Sequence, residues 1–193
     1  MGVFETVVLS YIIYMAVALY GITRGYHRYF SHREFNTSIV QETLMLYCGL
    51  LCGVRSPLAW AGVHRMHHAY SDTELDPHSP ILMSKWRVFF SMYKVPTIPR
   101  KFIKDLLRNP QVMFFHKHGK TIWLTHFVVT YFVFGPIAIA VNFLIIFYSY
   151  IGYGVLNTFG HDSEGPVNRF WISLIAPFEG QHRDHHERSH IKS

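Results

Sequence analysis

The sequence predicts an all-α membrane protein with about three transmembrane helices and a helical cap on the cytoplasmic side. Three observations support this fold class: apolar segments of spanning length, basic residues confined to the segments that flank them, and histidine clusters close to the ends of the apolar segments. Of the 193 residues, 50% are hydrophobic. A chain of this length is expected to form one domain, here residues 1–193.

Residues 3–22 form the first predicted span. About 20 apolar residues are needed to cross the hydrocarbon core of a bilayer, and the only charged residue in this segment is Glu5, near its start. Residues 39–54 are also apolar, but at about 16 residues with two polar positions they are short for a full crossing. We expect them to form a helix at the membrane interface or a partly buried helix.

The second long apolar block covers residues 122–159 and contains no Lys, Arg, Asp or Glu. Gly135 and Pro136 interrupt this block at a place suited to a tight reversal or a kink. We therefore predict two spans, residues 122–135 and 137–159, of which the first is short.

The basic residues give an independent indication of topology. Lys and Arg number 18 against 12 Asp and Glu, and all 18 lie within residues 24–120 or 169–192. The chain is predicted to cross the membrane once before the first basic segment and twice between the two basic segments. Both basic segments therefore lie on the same side of the membrane, and the positive-inside rule identifies that side as the cytoplasm. The protein is then multi-pass with its N-terminus outside. Basic faces beside apolar spans contact anionic lipid, which argues against nucleic acid as a partner.

Four short motifs combine histidine with helical spacing: HRYFSH at 27–32, HRMHH at 64–68, NTFGH at 157–161 and HRDHH at 182–186. Residues i, i+3 and i+4 share one face of a helix. The three histidines of each HxxHH motif are therefore expected to converge on one point, and Asn157 and His161 are expected to share a face. His27 and His32 lie about 140° apart around an ideal helix. They suit two different metals, or a helix that ends between them.

The number of histidines predicts two metal ions in the cytoplasmic cap. Neutral imidazole is the most common protein ligand for iron, zinc, copper and nickel, and the motifs hold nine histidines, too many for one ion. One HxxHH motif could equally be a solvated helix face or a metal scavenger. Two copies beside HxxxxH on one side of a membrane favour a site, because histidine near a bilayer is costly unless it binds something. The other histidines are expected to take surface or hydrogen-bonding roles: His78, His116, His118, His126 and His190.

These motifs resemble those of a known family. HRYFSH, HRMHH and QHRDHH are similar to the three histidine boxes of the membrane fatty acid desaturases, and NTFGH is similar to their additional Asn-His pair. SDTELDPHS at 71–79 and Phe178-Glu179-Gly180 extend the match, which covers roughly residues 20–186 and points to the delta-9-like branch.

The resemblance implies a non-haem di-iron centre with two Fe ions and with O2 as co-substrate. Zinc could not serve, because the chemistry needs a redox metal. Per turnover the family uses O2 and two electrons to convert an unactivated methylene pair of a long acyl chain into a cis double bond. The resemblance assigns ten ligands, of which the asparagine acts through water: His27, His32, His64, His67, His68, Asn157, His161, His182, His185 and His186.

Four acidic residues lie near enough in sequence to support these ligand histidines by hydrogen bonding: Asp72, Asp76, Glu179 and Asp184. Hydrogen bonds to ligating imidazoles set their orientation and tune the metal. Surface salt bridges are an equal alternative for each of the four.

The resemblance also implies the partners. Gly62-Val63 precede the second box, where acyl-CoA-using relatives tend to carry Arg-Asp, so an acyl-lipid substrate is favoured over acyl-CoA. A separate electron donor is implied, ferredoxin or cytochrome b5, which are acidic proteins that a basic face with Arg100, Lys101 and Lys104 would attract. The chain has one apolar span before the first box where members usually have two, which leaves both a fragment and a minimal member open.

Two other functions fit the same motifs. A membrane hydroxylase or ketolase shares the histidine-box chemistry and differs in whether oxygen is transferred to the substrate. A non-enzymatic metal-binding or transport protein would place its ligands within the membrane, whereas these motifs lie at the ends of the predicted spans.

Overall fold

The computed structural model describes residues 2–91 and 95–188, which are mostly helical. Met1, residues 92–94 and residues 189–193 of the predicted domain, among them His190, lie outside the described residues. Helix α1 (Val3–Ala18) continues directly into a π-helical segment (Leu19–Ser31). The remaining helices are α2 (Ile39–Leu51), α3 (Pro57–Tyr70), α4 (Lys85–Phe89), α5 (Pro110–Phe134), α6 (Ile137–Phe159) and α7 (His182–Arg188).

Short elements complete the described chain. Three 3₁₀ turns occupy Arg100–Phe102, Leu106–Arg108 and Phe170–Leu174. Two antiparallel strands of two residues each, β1 (His161–Asp162) and β2 (Gly165–Pro166), form a small hairpin after α6. The sequence did not predict this hairpin, so the fold is predominantly rather than wholly helical.

Side-chain caps explain where several helices begin. The Ser38 hydroxyl accepts a hydrogen bond from the backbone N–H of Gln41 at the start of α2. Asn109 caps α5 in the same way, accepting from Val112 N–H at 2.9 Å, and Pro110 follows at the first helical position. An N-cap side chain satisfies one of the free N–H groups of a helix start, and proline fits the first turn.

The first helix packs closely on its neighbours through small residues. A Cβ atom at Gly21 would lie 2.2 Å from the backbone nitrogen of Gly49 on α2, so the two backbones are in contact. A Cβ atom at Gly152 on α6 would lie 2.1 Å from the carbonyl oxygen of Ile175. These approaches hold the first helix against α2, and α6 against the segment that leads to α7. Close helix contact through glycine is typical of membrane bundles.

Two described helices are long and apolar enough to cross a membrane by length and composition, Val3–Ser31 and Ile137–Phe159. The first extends the predicted span 3–22 as far as the first histidine motif. The predicted span 122–135 lies in α5 except for its last residue, Gly135, which caps the helix. Helix α5 is longer than expected and is not one of these two helices. Because Asn109 and Pro110 start the helix, residues 110–121, which precede the predicted span, are also helical. The structure thus yields two candidate spans where the sequence predicted about three.

Candidate metal centre

The nine histidines of the four motifs meet in two buried or half-buried clusters. Within each cluster the histidines offer ring nitrogens that all lie within 4.8 Å of one another. We call them the five-histidine cluster, formed by His27, His32, His64, His68 and His185, and the four-histidine cluster, formed by His67, His161, His182 and His186.

Each HxxHH motif divides its histidines between the two clusters, so the expectation that three would converge on one point is wrong. At 100° per residue, the first and last histidines of the motif are about 40° apart, whereas the middle one lies about 60° to the other side of the first. On α3, His64 and His68 join the five-histidine cluster and His67 joins the other. On α7 the pattern is inverted, because His185 alone joins the five-histidine cluster.

The π-helical segment brings His27 and His32 into the same cluster. The backbone N–H of His32 donates to the carbonyl oxygen of His27 at 3.1 Å, an i→i+5 bond that stacks residues five apart. Their ring centroids are 5.1 Å apart. The two residues belong to one cluster, so they do not serve two different metals. The helix ends at Ser31, between the two histidines, as the second alternative expected.

The spacing of the donor atoms fits metal coordination. Two imidazole nitrogens that bind one first-row ion at about 2.1 Å and at right angles lie about 3.0 Å apart. The Nε2···Nε2 distances in the clusters match this value: 2.7 Å for His27–His185, 2.8 Å for His32–His64, 3.1 Å for His68–His185 and 3.1 Å for His161–His182.

Three carboxylates hold the outward nitrogens of ligand histidines. His67 Nδ1 lies 2.9 Å from Asp76 Oδ2, and His161 Nδ1 lies 2.6 Å from Asp72 Oδ2. A carboxylate accepts a hydrogen bond from the protonated Nδ1, which leaves the Nε2 lone pair directed into the cluster. This arrangement is the usual support of a metal-bound histidine.

Glu179 gives the five-histidine cluster the same support, with Oε1 2.8 Å from His27 Nδ1. Of the four acids that the sequence left equivalent, only Asp184 has no histidine partner among the described contacts. Its Oδ1 accepts from Asn168 Nδ2 at 2.7 Å instead. Distance along the chain could not separate these roles, which depend on the packing of distant segments.

Asp76 is the most fully enclosed of these acids, at 1% exposure. Besides the ring of His67, it accepts hydrogen bonds from the backbone N–H groups of Asp72 at 2.9 Å and His78 at 3.0 Å. Burial would raise the pKa of this carboxyl, but the His67 hydrogen bond and the other contacts lower it to about 2. Asp76 is therefore a carboxylate at neutral pH.

Several of the cluster histidines are held in the neutral form that binds metal. Burial, together with the neighbouring imidazoles, lowers the pKa of His64 and His182 well below the usual value and that of His32 to about 2. Among the described residues, His32 Nδ1, His182 Nδ1 and His186 Nε2 are buried with no hydrogen-bond partner. Buried nitrogens are rarely left without a partner, so His186 Nε2 at the four-histidine cluster fits a metal ligand.

Asn157 and His161 do not share a helix face, contrary to the sequence expectation. Helix α6 ends at Phe159, and His161 belongs to β1. Gly160 allows this exit, because a Cβ atom there would lie 2.6 Å from the carbonyl oxygen of Leu156 and 2.9 Å from the His182 ring. Both residues nevertheless line the same cavity.

That cavity adjoins both clusters and is partly apolar. His64 of one cluster and His67 of the other contribute to its wall. Apolar and aromatic side chains face the same space: Trp60, Val63, Tyr153 and Leu156. A second, polar cavity opens on the other side of the five-histidine cluster, where Arg28, Arg33 and Arg188 surround His32 and His185.

His78 is a site residue that histidine spacing did not find. It is 7% exposed and stacks on His67 with ring centroids 4.4 Å apart, and with His67 and Asp76 it forms a third group of possible ligands. The SDTELDPHS match was the available signal. Others take the predicted ordinary roles: His116 Nδ1 lies 2.8 Å from the Ser56 hydroxyl, and His126 bonds to Tyr47 and Asn142.

Comparison with known proteins finds similarity to fatty acid desaturases, although no family model matches the chain. The chain is 28% identical to the sn-1 stearoyl-lipid 9-desaturase of Anabaena variabilis over 92% of its length, and 29% identical to the protein of that name from Synechocystis over 94%. It is 25% identical over 94% of its length to the chloroplastic palmitoyl-monogalactosyldiacylglycerol delta-7 desaturase of Arabidopsis thaliana. These relatives support placing the chain in the fatty acid desaturase family. It spans 70%, 61% and 53% of the length of these three desaturases.

Proposed function

We propose that this desaturase-family chain is an acyl-lipid desaturase that inserts a cis double bond, delta-9-like, into a long acyl chain in a membrane. The observation that carries the proposal is the pair of histidine clusters, whose Nε2 atoms converge at 2.7–3.1 Å while carboxylates hold their Nδ1 atoms. Two iron ions bound there would supply the O2 chemistry that removal of hydrogen from an unactivated methylene pair needs.

The nine histidines form the proposed ligand set, with Asn157 as a tenth ligand acting through water. Asn157 lies on the last turn of α6 and faces the same cavity as His161 and His182. Asp72, Asp76 and Glu179 would keep three ligand rings in one orientation and one tautomer. In the balanced reaction, the methylene pair loses two hydrogens and becomes an alkene. One O2 takes up these two hydrogens together with two electrons and two protons from the electron donor and solvent, and it is released as two waters.

The partly apolar cavity would hold the acyl chain beside both clusters. Burying each methylene group contributes about 0.8 kcal/mol, so a long chain binds there without many polar contacts. Trp60, Val63 and Leu156 would also keep water away from the reacting carbons. The names of the relatives from Anabaena variabilis and Synechocystis, stearoyl-lipid desaturases, support an acyl-lipid substrate over acyl-CoA.

The two candidate spans and the distribution of basic residues support a multi-pass membrane protein with the clusters on the cytoplasmic side. An acidic one-electron carrier, ferredoxin or cytochrome b5, would approach this side. Arg100, Lys101 and Lys104 are exposed there. Charge reversal of the three basic residues is expected to slow reduction by the purified carrier and to remove its dependence on salt.

Expression in a host that lacks desaturation, followed by fatty acid profiling, tests the proposed function. The wild-type chain is expected to produce a cis-unsaturated acyl chain, and His64→Ala and His185→Ala are expected to abolish it. His118→Ala is the matched control, because this histidine is exposed and outside both clusters. Hydroxylated or ketone products would instead show the alternative oxidase chemistry. Unchanged lipids with two metals bound per chain would favour a non-enzymatic metal protein.

A further inference from the structure

The HRMHH motif contains a buried arginine, which follows His64 in the sequence and makes its hydrogen bonds outside both histidine clusters. Arg65 on α3 is 4% exposed. An arginine side chain has five N–H donors in a rigid planar fork, and here each has an acceptor. Two go to Asp105, with Nη1–Oδ1 at 2.7 Å and Nη2–Oδ2 at 3.0 Å, and a third goes from Nη1 to the carbonyl oxygen of Phe102 at 2.7 Å.

The other two donors reach the end of the first helix. Arg65 Nε donates to the carbonyl oxygen of Ser31 at 3.0 Å, and Nη2 donates to that of Phe30. The last carbonyls of a helix have no partner within the helix, and a cation at this end is also favoured by the helix dipole. These two carbonyls directly precede His32. The arginine therefore satisfies and fixes the backbone from which a ligand histidine projects.

We propose that Arg65, held by Asp105, is a positioning residue that sets the five-histidine cluster by fastening the end of the first helix to α3. This inference rests on the proposed dimetal function. The five-histidine cluster draws His27 and His32 from the first helix and His64 and His68 from α3, with His32 and His64 Nε2 only 2.8 Å apart. The four-histidine cluster takes nothing from the first helix. Loss of the arginine should therefore affect one metal and spare the other.

Arg33 completes the network, because its Nη2 lies 2.7 Å from Asp105 Oδ2. Asp105 thus bonds to one arginine from α3 and to another that immediately follows His32. A lysine at position 65 has three donors and no planar fork, so it could not reach the same five acceptors. Arg65→Lys is accordingly expected to behave like a loss of the arginine rather than as a conservative change.

The test measures metal binding in the full chain, purified in detergent and titrated with Co²⁺ against a competing chelator. Wild-type protein is expected to bind two Co²⁺ per chain. Arg65→Met and Arg65→Lys are expected to weaken one of the two binding steps by about 10–100-fold, the usual effect of losing a group that orients metal ligands. Arg87→Met, exposed on α4, is the matched control and should change neither step.

Asp105→Asn provides a second variant in case Arg65→Met does not fold, because the Asp105 side chain is 34% exposed and its replacement is milder. It should weaken the same step as the Arg65 variants, and the visible spectrum of the Co²⁺ in the other site should stay as in the wild type. The proposal would be overturned if the Arg65 and Asp105 variants bound Co²⁺ in both steps as tightly as the wild type. It would also be overturned if these variants weakened the two binding steps equally. A wild-type chain that binds fewer than two ions would overturn the dimetal function and this inference with it.

Discussion

Replacing Asp76 by asparagine is the sharpest test of how the carboxylates support the clusters. Its two oxygens accept from His67 Nδ1 and from the backbone N–H groups of Asp72 and His78. An asparagine offers one oxygen and one NH2 group, so in either orientation its NH2 faces an N–H donor. Leaving a buried donor unsatisfied costs about 1–3 kcal/mol. We therefore expect Asp76→Asn to release the orientation of His67.

The pKa of Asp76 gives an independent magnitude. A fall from 3.8 to about 2 corresponds to about 2 kcal/mol of preference for the ionised form, at about 1.4 kcal/mol per unit. If the metal-bound protein loses the Asp76 hydrogen bond to His67, metal affinity at the four-histidine cluster should fall by about 10–100-fold. This loss corresponds to about 1.4–2.8 kcal/mol of binding free energy. The five-histidine cluster, to which Asp76 makes no bond, should be unaffected.

The assay is the two-step Co²⁺ titration of the purified chain, with Asp184→Asn as the matched control. Asp184 is the acid of the HRDHH motif, but among the described contacts it bonds to Asn168 and to no histidine. Its replacement should leave both affinities within about twofold of wild type, as expected for a partly exposed group away from the ligands. If Asp76→Asn left both affinities unchanged, or if Asp184→Asn weakened binding equally, the carboxylate argument would be refuted.

Three further predictions follow from other contacts. Glu179→Gln should weaken the five-histidine cluster by about 10–100-fold in the same titration, and weakening of the other cluster would contradict the bond to His27. Gly152→Ala would place a Cβ atom 2.1 Å from Ile175 O and should destabilise the protein by at least about 1–3 kcal/mol; an unchanged melting temperature in detergent would contradict this packing. Partial burial raises the pKa of Asp105, but hydrogen bonds from two arginines lower it to about 2 from 3.8. Because its pKa is depressed in the folded state, Asp105 adds stability that is complete above about pH 4 and is lost as the pH falls through 2. The melting temperature of the metal-free Asp105→Asn protein should therefore depend less on pH over this range than that of the wild type.

The sequence predicted which histidines lie together, but it did not predict how they divide between two clusters. Histidine spacing and count led to nine residues and two ions, and the structure gathers those nine residues into two clusters. The ideal α-helix, however, places His27 and His32 on different faces. The i→i+5 bond between them changes that geometry, and no residue pattern in HRYFSH announces a π-helix.

Contacts between distant segments were beyond sequence reasoning for a similar reason. Asp72 and His161, 89 positions apart, meet because the hairpin after α6 turns back towards α3. Arg65 was part of a recognised motif, yet three of its five acceptors are backbone carbonyls, which carry no side-chain signal. Helix starts were more accessible, although the cap at Asn109 was missed and α5 was expected to begin too late.

Substitution of the adjacent residues His67 and His68 tests whether the histidines of HRMHH bind one ion, as the shared helix face predicted, or two ions, as the structure indicates. If the three histidines of HRMHH converged on one ion, His67→Ala and His68→Ala would weaken the same binding step. The structure assigns them to different clusters, with His67 bonded to Asp76 and His68 Nε2 3.1 Å from His185 Nε2. His67→Ala should therefore weaken the step that Asp76→Asn weakens, and His68→Ala the step that Glu179→Gln weakens. Identical effects of the two alanine variants on one step would mean that the partition described here is incorrect.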